Sequence, residues 1–262
     1  MERINSRVGN RAQASQFKNL EQSAVDSYNN EVGDLKYYDC PDCKNKGFIG
    51  VLNAEGRFAM AYCKCRDIRK TNKRIIESGL SGLIDNYTFD SYTAGEEWQK
   101  SIKEKAKAFT ADEYNKWFFI GGQSGCGKTH ICTAIVSEFI KKGNKAVYML
   151  WRDDVVKLKA NVNNFEIYEK MINDFKTVPV LYIDDFFNVE KGKAPTPADV
   201  NIAFELLNYR YNNPDFVTII SSEFMINEII KIAENVGGRI YERTKNYHFN
   251  INPDIKKNYR LR

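Results

Sequence analysis

The sequence predicts an α/β protein: a core with a five-stranded parallel sheet, preceded by a small cysteine-bearing N-terminal domain. Three observations carry that expectation. From residue 98 onward, short apolar runs alternate with helical stretches, the pattern of strand–helix–strand units with helices on both faces of a sheet. A glycine loop, GGQSGCGKTH (121–130), directly follows one of these runs, WFFI. Four cysteines stand in two close pairs, CPDC and CKC, well ahead of that loop.

The elements follow in order. Residues 1–39 are polar, and the spacing of Phe17, Leu20 and Ala24 suits a short amphipathic helix. Residues 40–79 hold the cysteines, a hairpin written GFIGVL and RFAMAY about the turn NAEG, and a basic helix ended near Gly79. Residues 80–97 lead into the core domain, 98–262. There WFFIGG (117–122), AVYML (146–150), VPVLYIDD (178–185), FVTIISS (216–222) and YHFNI (247–251) read as strands. The third is apolar almost throughout, as a strand buried on both faces should be. Helices are expected at 128–142, near 153–160, at 165–176, from Pro197 to about Tyr211, and near 226–234. Residues 237–246 read as helix or loop. After YHFNI the chain is too short for a C-terminal helical lid.

Bulk properties exclude some classes. The 262 residues are 43% hydrophobic and 28% charged, with a net charge of +5 and a mean hydropathy of -0.52. No apolar run approaches the ~18 residues of a membrane span, and MERINSRVGNRAQ has no apolar stretch like a secretion signal. A cytoplasmic protein with no membrane partner is expected. The mild positive charge permits contact with a nucleic-acid backbone without demanding it.

Gly122-x4-Gly127-Lys128-Thr129 fits the phosphate-loop pattern, with a strand before it and a helix after. Gly122, Gln123, Ser124, Gly125, Cys126, Gly127, Lys128, Thr129 and His130 are therefore the candidate nucleotide-binding residues. The glycines let backbone N–H groups converge on phosphates, Lys128 adds a point charge, and the Thr129 hydroxyl can ligate Mg²⁺. The competing reading is a glycine turn that merely joins strand to helix. LYIDD supplies the acidic partner: Asp184 for Mg²⁺, directly or through water, and Asp185 to orient the attacking water. Alone, such a pair reads more simply as a helix cap, but it lies 56 positions after the loop lysine. With AVYML between the two motifs and no NKxD base-reading motif, ATP is expected rather than GTP. Ser221, Ser222 and Glu223, after the fourth strand, are candidates for a residue between phosphate and water, and Ser222 is the choice among them.

Cys40-x2-Cys43 and Cys63-x-Cys65 offer four thiolates on two tight turns, the ligand set of a structural zinc site. Four unliganded thiols, or an iron–sulfur cluster, are the other readings. Such a site would staple a region too small to build its own core.

With SGCGKTH, VLYIDDFF, NYRY, TIISSE and GGRIYERT in order, the chain resembles the bacterial and phage DnaC/DnaI-type helicase loaders of the AAA+ class. LSGLIDNYTFDSY (80–92) looks like their pre-core segment and CPDC…CKC like their cysteine cluster. The resemblance implies an ATP-switched protein that binds a DnaB-type hexameric helicase and places it on single-stranded DNA. It also implies residues 1–39 as the partner-binding segment, Arg243 as an arginine finger reaching a neighbouring subunit's nucleotide in a ring or spiral, and Arg260 as a second sensor. Departures are Glu223, where many relatives carry Asn, and Asp-Asp in place of Asp-Glu, which suits slow, regulatory hydrolysis. Two alternatives stay open: an IstB-type transposition ATPase, and a zinc-stapled nucleotide-binding adaptor without hydrolysis.

Candidate DNA contacts are the basic run Lys64, Arg66, Arg69, Lys70, Lys73 and Arg74, and Lys157 and Lys159 near Trp151 and Arg152. Basic residues interleaved with aromatics suit single strands, although a charge run is more often a solvated helix face.

Overall fold

The structure, a computed structural model, describes residues 17–75, 83–189 and 194–261. The chain divides into two compact units, Met1–Lys73 and Arg74–Arg262. Residues 17–39 and the four cysteines Cys40, Cys43, Cys63 and Cys65 lie in the first of them.

In the first unit, helix α1 covers residues 17–30. The expected hairpin follows as β1 (Phe48–Leu52) and β2 (Phe58–Tyr62), with α2 (Cys65–Ile75) after it. The strands pair antiparallel from Phe48↔Tyr62 to Leu52↔Phe58. Asn53 closes the turn by accepting from the N–H groups of Glu55 and Arg57 at 3.1 and 2.9 Å, an Asx turn. Asn29 of α1 exchanges two hydrogen bonds with the Gly50 backbone, at 2.8 and 3.0 Å. A side chain at Gly50 would meet the rings of Phe58 and Tyr28 at 3.1 and 3.2 Å, so the helix can lie close only over glycine. The buried stripe of α1 differs from the expected one. Val25 is buried, whereas Phe17, Leu20 and Ala24 are exposed. The helix is turned so that Glu21 and Tyr28 meet the hairpin: the Tyr28 ring lies 5.8 Å from that of Phe58, and the Glu21 carboxylate accepts from Phe58 N–H at 2.6 Å. Gly79, the expected end of the basic helix, lies outside the described residues.

The second unit opens with α3 (Leu83–Asn86) and α4 (Glu97–Ala111), then alternates β3 (Trp117–Gly122), α5 (Lys128–Lys141), β4 (Ala146–Leu150), α6 (Trp151–Ala160), α7 (Phe165–Thr177), β5 (Val180–Asp184), α8 (Pro197–Tyr211), β6 (Val217–Ser222), α9 (Ile226–Ile232), α10 (Glu234–Arg243) and β7 (His248–Ile251). All five expected strands are present, and every pair is parallel. Helix α4, unassigned in the sequence reading, starts at a capping box in which the Gln99 side chain accepts from Glu96 N–H at 2.8 Å. The undecided stretch near 237 is the helix α10. It is separate from α9 because Ala233 between them is extended, at φ -152° and ψ 91°.

The sheet order is β4-β5-β6-β3-β7. AVYML, which intervenes in sequence between the glycine loop and the acidic pair, is therefore an edge strand. The strand that intervenes in space is β6. Strands β3, β5 and β6 are buried at every position, and Phe119, Leu181, Ile183 and Ile220 join the main apolar cluster. Burial of each such side chain is worth ~1.5–3 kcal/mol. The carboxyl ends of β3, β5 and β6 carry the loop, the aspartates and the serines to one edge, where ligands bind in open α/β sheets.

Candidate nucleotide site and cysteine cluster

The glycine loop is shaped by backbone that side chains resist. Gly122, Gly125 and Gly127 have φ of 133°, 77° and 88°, the region that glycine adopts without a Cβ clash. A Cβ at Gly122 would meet the Ile251 carbonyl oxygen at 2.3 Å, and one at Gly125 the Asn258 side chain at 2.1 Å. Helix α5 begins at Lys128, so its free N–H groups and positive end face the loop. Lys128 is buried and its Nζ donates to the carbonyls of Gly122 and Gln123, both at 2.8 Å. Cys126 turns inward and its Sγ donates to the Gln123 carbonyl at 2.9 Å, so its main chain, not its thiol, faces the cleft.

Opposite the loop, Thr129 Oγ1 lies 3.4 and 3.5 Å from the two Asp184 carboxylate oxygens. Asp184 ends β5, and Asp185 follows in a left-handed conformation at φ 52°, a strained one for a non-glycine residue. Its N–H donates to Asp184 Oδ1 at 3.1 Å and to Ser221 Oγ at 3.2 Å. Burial, and then the Asp184 charge, push the Asp185 carboxyl above the ordinary carboxylate range, while Lys128 acts against them.

The three candidates after β6 separate. Ser221 donates to Asp184, and Glu223 lines the cleft. Ser222, the residue expected at the site, does not reach the carboxylates: its hydroxyl donates to the Phe186 carbonyl at 2.7 Å. Successive strand side chains point to opposite faces, so only one of two adjacent serines can face Asp184. Arg260 reaches the loop, with Nη1 3.4 Å from Ser124 Oγ. Arg243, the last residue of α10, lies away from this cleft; it donates to the Tyr211 carbonyl with its guanidinium 4.7 Å from the Tyr211 ring. His130 stacks on Tyr87 at 4.5 Å and bonds the Thr88 carbonyl at 3.0 Å. It anchors the pre-core segment to α5, and burial lowers its basicity.

Asp185, Glu223, His130, Arg260 and part of the glycine loop line a cleft of about 530 Å³. Its lining holds Ser124, Gly125, Gly127, Lys128, Thr129 and Asp185 together with Tyr87, Tyr92 and Tyr259, and Tyr92 and Tyr259 lie against Gly127. Tyr87 and Tyr92 belong to the pre-core segment 80–92, whose sequence carries no nucleotide-binding signal. No local signal marks Tyr259, which the chain brings back to bond Gly125 O through its N–H at 2.8 Å.

The four cysteines of the first unit converge. Their sulfurs all lie within 4.8 Å of one another, with Cys40–Cys63 at 3.7 Å and Cys43–Cys65 at 3.4 Å. Tetrahedral Zn–S bonds of about 2.3 Å require S···S spacings of ~3.8 Å, so the set fits such an ion. All four are buried. Burial pushes the Cys63 and Cys65 thiols up. At Cys43 burial is outweighed by the Gly47 N–H and neighbouring sulfurs, which bring it down to about 7. Thiols this close ionise together only beside a cation.

Several candidate DNA contacts are otherwise engaged. Arg69 is buried and donates to the carbonyls of Leu35 and Lys36 and to Asn45 Oδ1; it braces the cysteine module. The Arg66 guanidinium lies 4.1 Å from the Tyr62 ring. Trp151 is a core residue, 1% exposed, because it begins α6 against Phe186 and Phe187. It offers no stacking surface. Lys159 pairs with buried Asp199 at 2.7 Å.

The family model described as the bacterial DnaA ATPase domain matches residues 83–242. The chain is 29% identical over 225 residues to the phage-like element PBSX protein XkdC of Bacillus subtilis, covering 82% of each chain. It is 27% identical over 120 residues to the replicative helicase loader DnaC of Escherichia coli, 44% of this chain and 49% of that one. The present chain thus spans about half the length of that loader. The crystal structure of DnaI shares the fold, with a TM-score of 0.53 at 21% identity, covering 65% of this chain and 92% of that one.

Proposed function

Because the chain belongs to the bacterial DnaA ATPase-domain family, we propose that it is an ATP-dependent loader that binds a DnaB-type replicative helicase and delivers it to single-stranded DNA. The observation that carries the nucleotide part is the convergence of Thr129 and Asp184 to 3.4 Å at the mouth of the glycine loop. Thr129 and Asp184 would hold Mg²⁺, which supplies charge neutralisation at the β- and γ-phosphates. The loop N–H groups and Lys128 bind the phosphates, Lys128 exchanging its loop carbonyls for phosphate oxygens. Asp185 orients the attacking water and accepts its proton. Arg260 acts on the nucleotide of its own cleft from beside Ser124. Arg243, turned away from that cleft, acts on a neighbour's in a ring or spiral. Hydrolysis is slow and serves as a switch.

The loader part is supported by the likeness to a protein named a replicative helicase loader and by the four-cysteine unit that precedes the ATPase unit in sequence. Cys40, Cys43, Cys63 and Cys65 would hold zinc, which would staple a partner-binding surface. The test is co-elution with the replicative helicase of the same host, with ATP, with ADP and without nucleotide. A complex that requires residues 1–73 supports the reading. No complex in any state, with DNA-stimulated hydrolysis intact, moves the assignment to a transposition-type ATPase.

A further inference from the structure

Asp184 is 3% exposed, yet no cationic side chain is hydrogen-bonded to it among the described residues. Its charge is held by neutral donors. Oδ1 accepts from Tyr182 at 2.7 Å, from Ser221, and from Asp185 N–H at 3.1 Å. Oδ2 accepts from Tyr148 at 2.9 Å, and Thr129 Oγ1 lies 3.4 Å from Oδ1 and 3.5 Å from Oδ2. The nearby ammonium of Lys128 is committed to two loop carbonyls.

The sheet builds this cage. Tyr148 and Tyr182 are register partners on β4 and β5, and their rings meet at 5.3 Å and 66°. Asp184 lies two residues after Tyr182 and so shares its face of the sheet. Both tyrosines are 2% exposed. A phenol this buried is retained as a hydroxyl donor, because a phenolate beside a carboxylate is doubly disfavoured.

A carboxylate offers about four lone-pair positions. Three donors saturate Oδ1. One close donor on Oδ2 leaves that oxygen able to take a further ligand. We infer that Tyr148 is a positioning residue for the divalent cation: its hydroxyl fixes the Asp184 carboxylate beside Thr129 so that Oδ2, the oxygen with a single close donor, is left to take the ion. Tyr182 and Ser221 hold the other oxygen out of use. The inference rests on the nucleotide reading above.

The test is Tyr148→Phe, which keeps the buried ring and deletes the hydroxyl. ATP affinity is measured in the full chain by calorimetry, first in EDTA and then across a Mg²⁺ titration, with a Mn²⁺ titration followed by electron paramagnetic resonance. Outer partners of metal ligands typically set affinity by about 10–100-fold. The Mg²⁺ concentration at half-saturation should rise at least ~10-fold, with affinity in EDTA unchanged. An unchanged Mg²⁺ requirement overturns the inference. Equal losses with and without Mg²⁺ overturn it too, since they mark a purely structural role. If Tyr148→Phe does not fold, Tyr182→Phe removes one of three donors to Oδ1, and a smaller rise in the Mg²⁺ requirement is expected. No such rise in a folded Tyr182→Phe counts against the cage. Failure of the wild-type chain to bind ATP at all would instead overturn the nucleotide reading, and this inference with it.

Discussion

Gln123 and Asp254, 131 positions apart, form a two-point clamp: Gln123 Nε2 donates to the Asp254 carbonyl at 2.7 Å, and Asp254 N–H donates to Gln123 Oε1 at 2.6 Å. The clamp ties residues 252–261 to the glycine loop, and that segment carries Tyr259 and Arg260 to the cleft. Gln123→Ala should cost ~1–2 kcal/mol of stability, about 1 kcal/mol for each lost bond. It should also weaken ATP binding several-fold, because Arg260 loses its anchor. Thermal unfolding and calorimetry of the variant check both effects. Gln123→Glu keeps only the acceptor half of the clamp and should fall between.

The pH dependence of hydrolysis should report Asp185. The base must be ionised to accept a proton from water. Its carboxyl is raised, by burial first and by the Asp184 charge second. The rate should therefore fall on the acid side at a pH above the ordinary ~3.9 of an aspartate. Glu223 also raises it, so Glu223→Gln should move this acid limb to lower pH. Asp185→Asn should abolish the limb and lower turnover by about 10²–10⁴-fold. A rate–pH profile of the three proteins decides it.

The cysteine cluster should bind one metal ion per chain. Co²⁺ substitution should give sulfur-to-metal charge-transfer absorption, and Cys63→Ser should lose it. Structural thiolate sites supply folding energy directly, so chelation should unfold the first unit. Hydrogen exchange should then rise across β1, β2 and α2. In the ATPase unit, ATP binding should survive.

Much of this fold was legible because its signals are local. Apolar runs such as WFFI and VLYID, short and rich in aromatic and β-branched residues, read as buried strands, and a glycine loop between strand and helix has one common use. What stayed hidden depends on residues distant in sequence. Strand order was hidden, since nothing in AVYML says that it lies at an edge. The choice between Ser221 and Ser222 turns on which face of β6 meets Asp184. Arg210, within the quoted NYRY, is 0% exposed. It donates to the carbonyls of Phe175, Lys176, Val178 and Val217, a role visible only once α7 and β6 are in place. Arg69, Trp151 and Lys159 looked like nucleic-acid contacts for the same reason: composition shows a charge or a ring but not what already occupies it.

The most direct test of the loader account is transfer of the host's DnaB-type helicase onto closed circular single-stranded DNA, where a ring cannot thread over an end. Helicase bound to the circle is measured by co-sedimentation, with this protein and ATP, with the Lys128→Ala variant, and without either. The account predicts helicase on the circle with the wild-type protein and ATP, and background levels with Lys128→Ala. Equal helicase on the circle in all three conditions would contradict it.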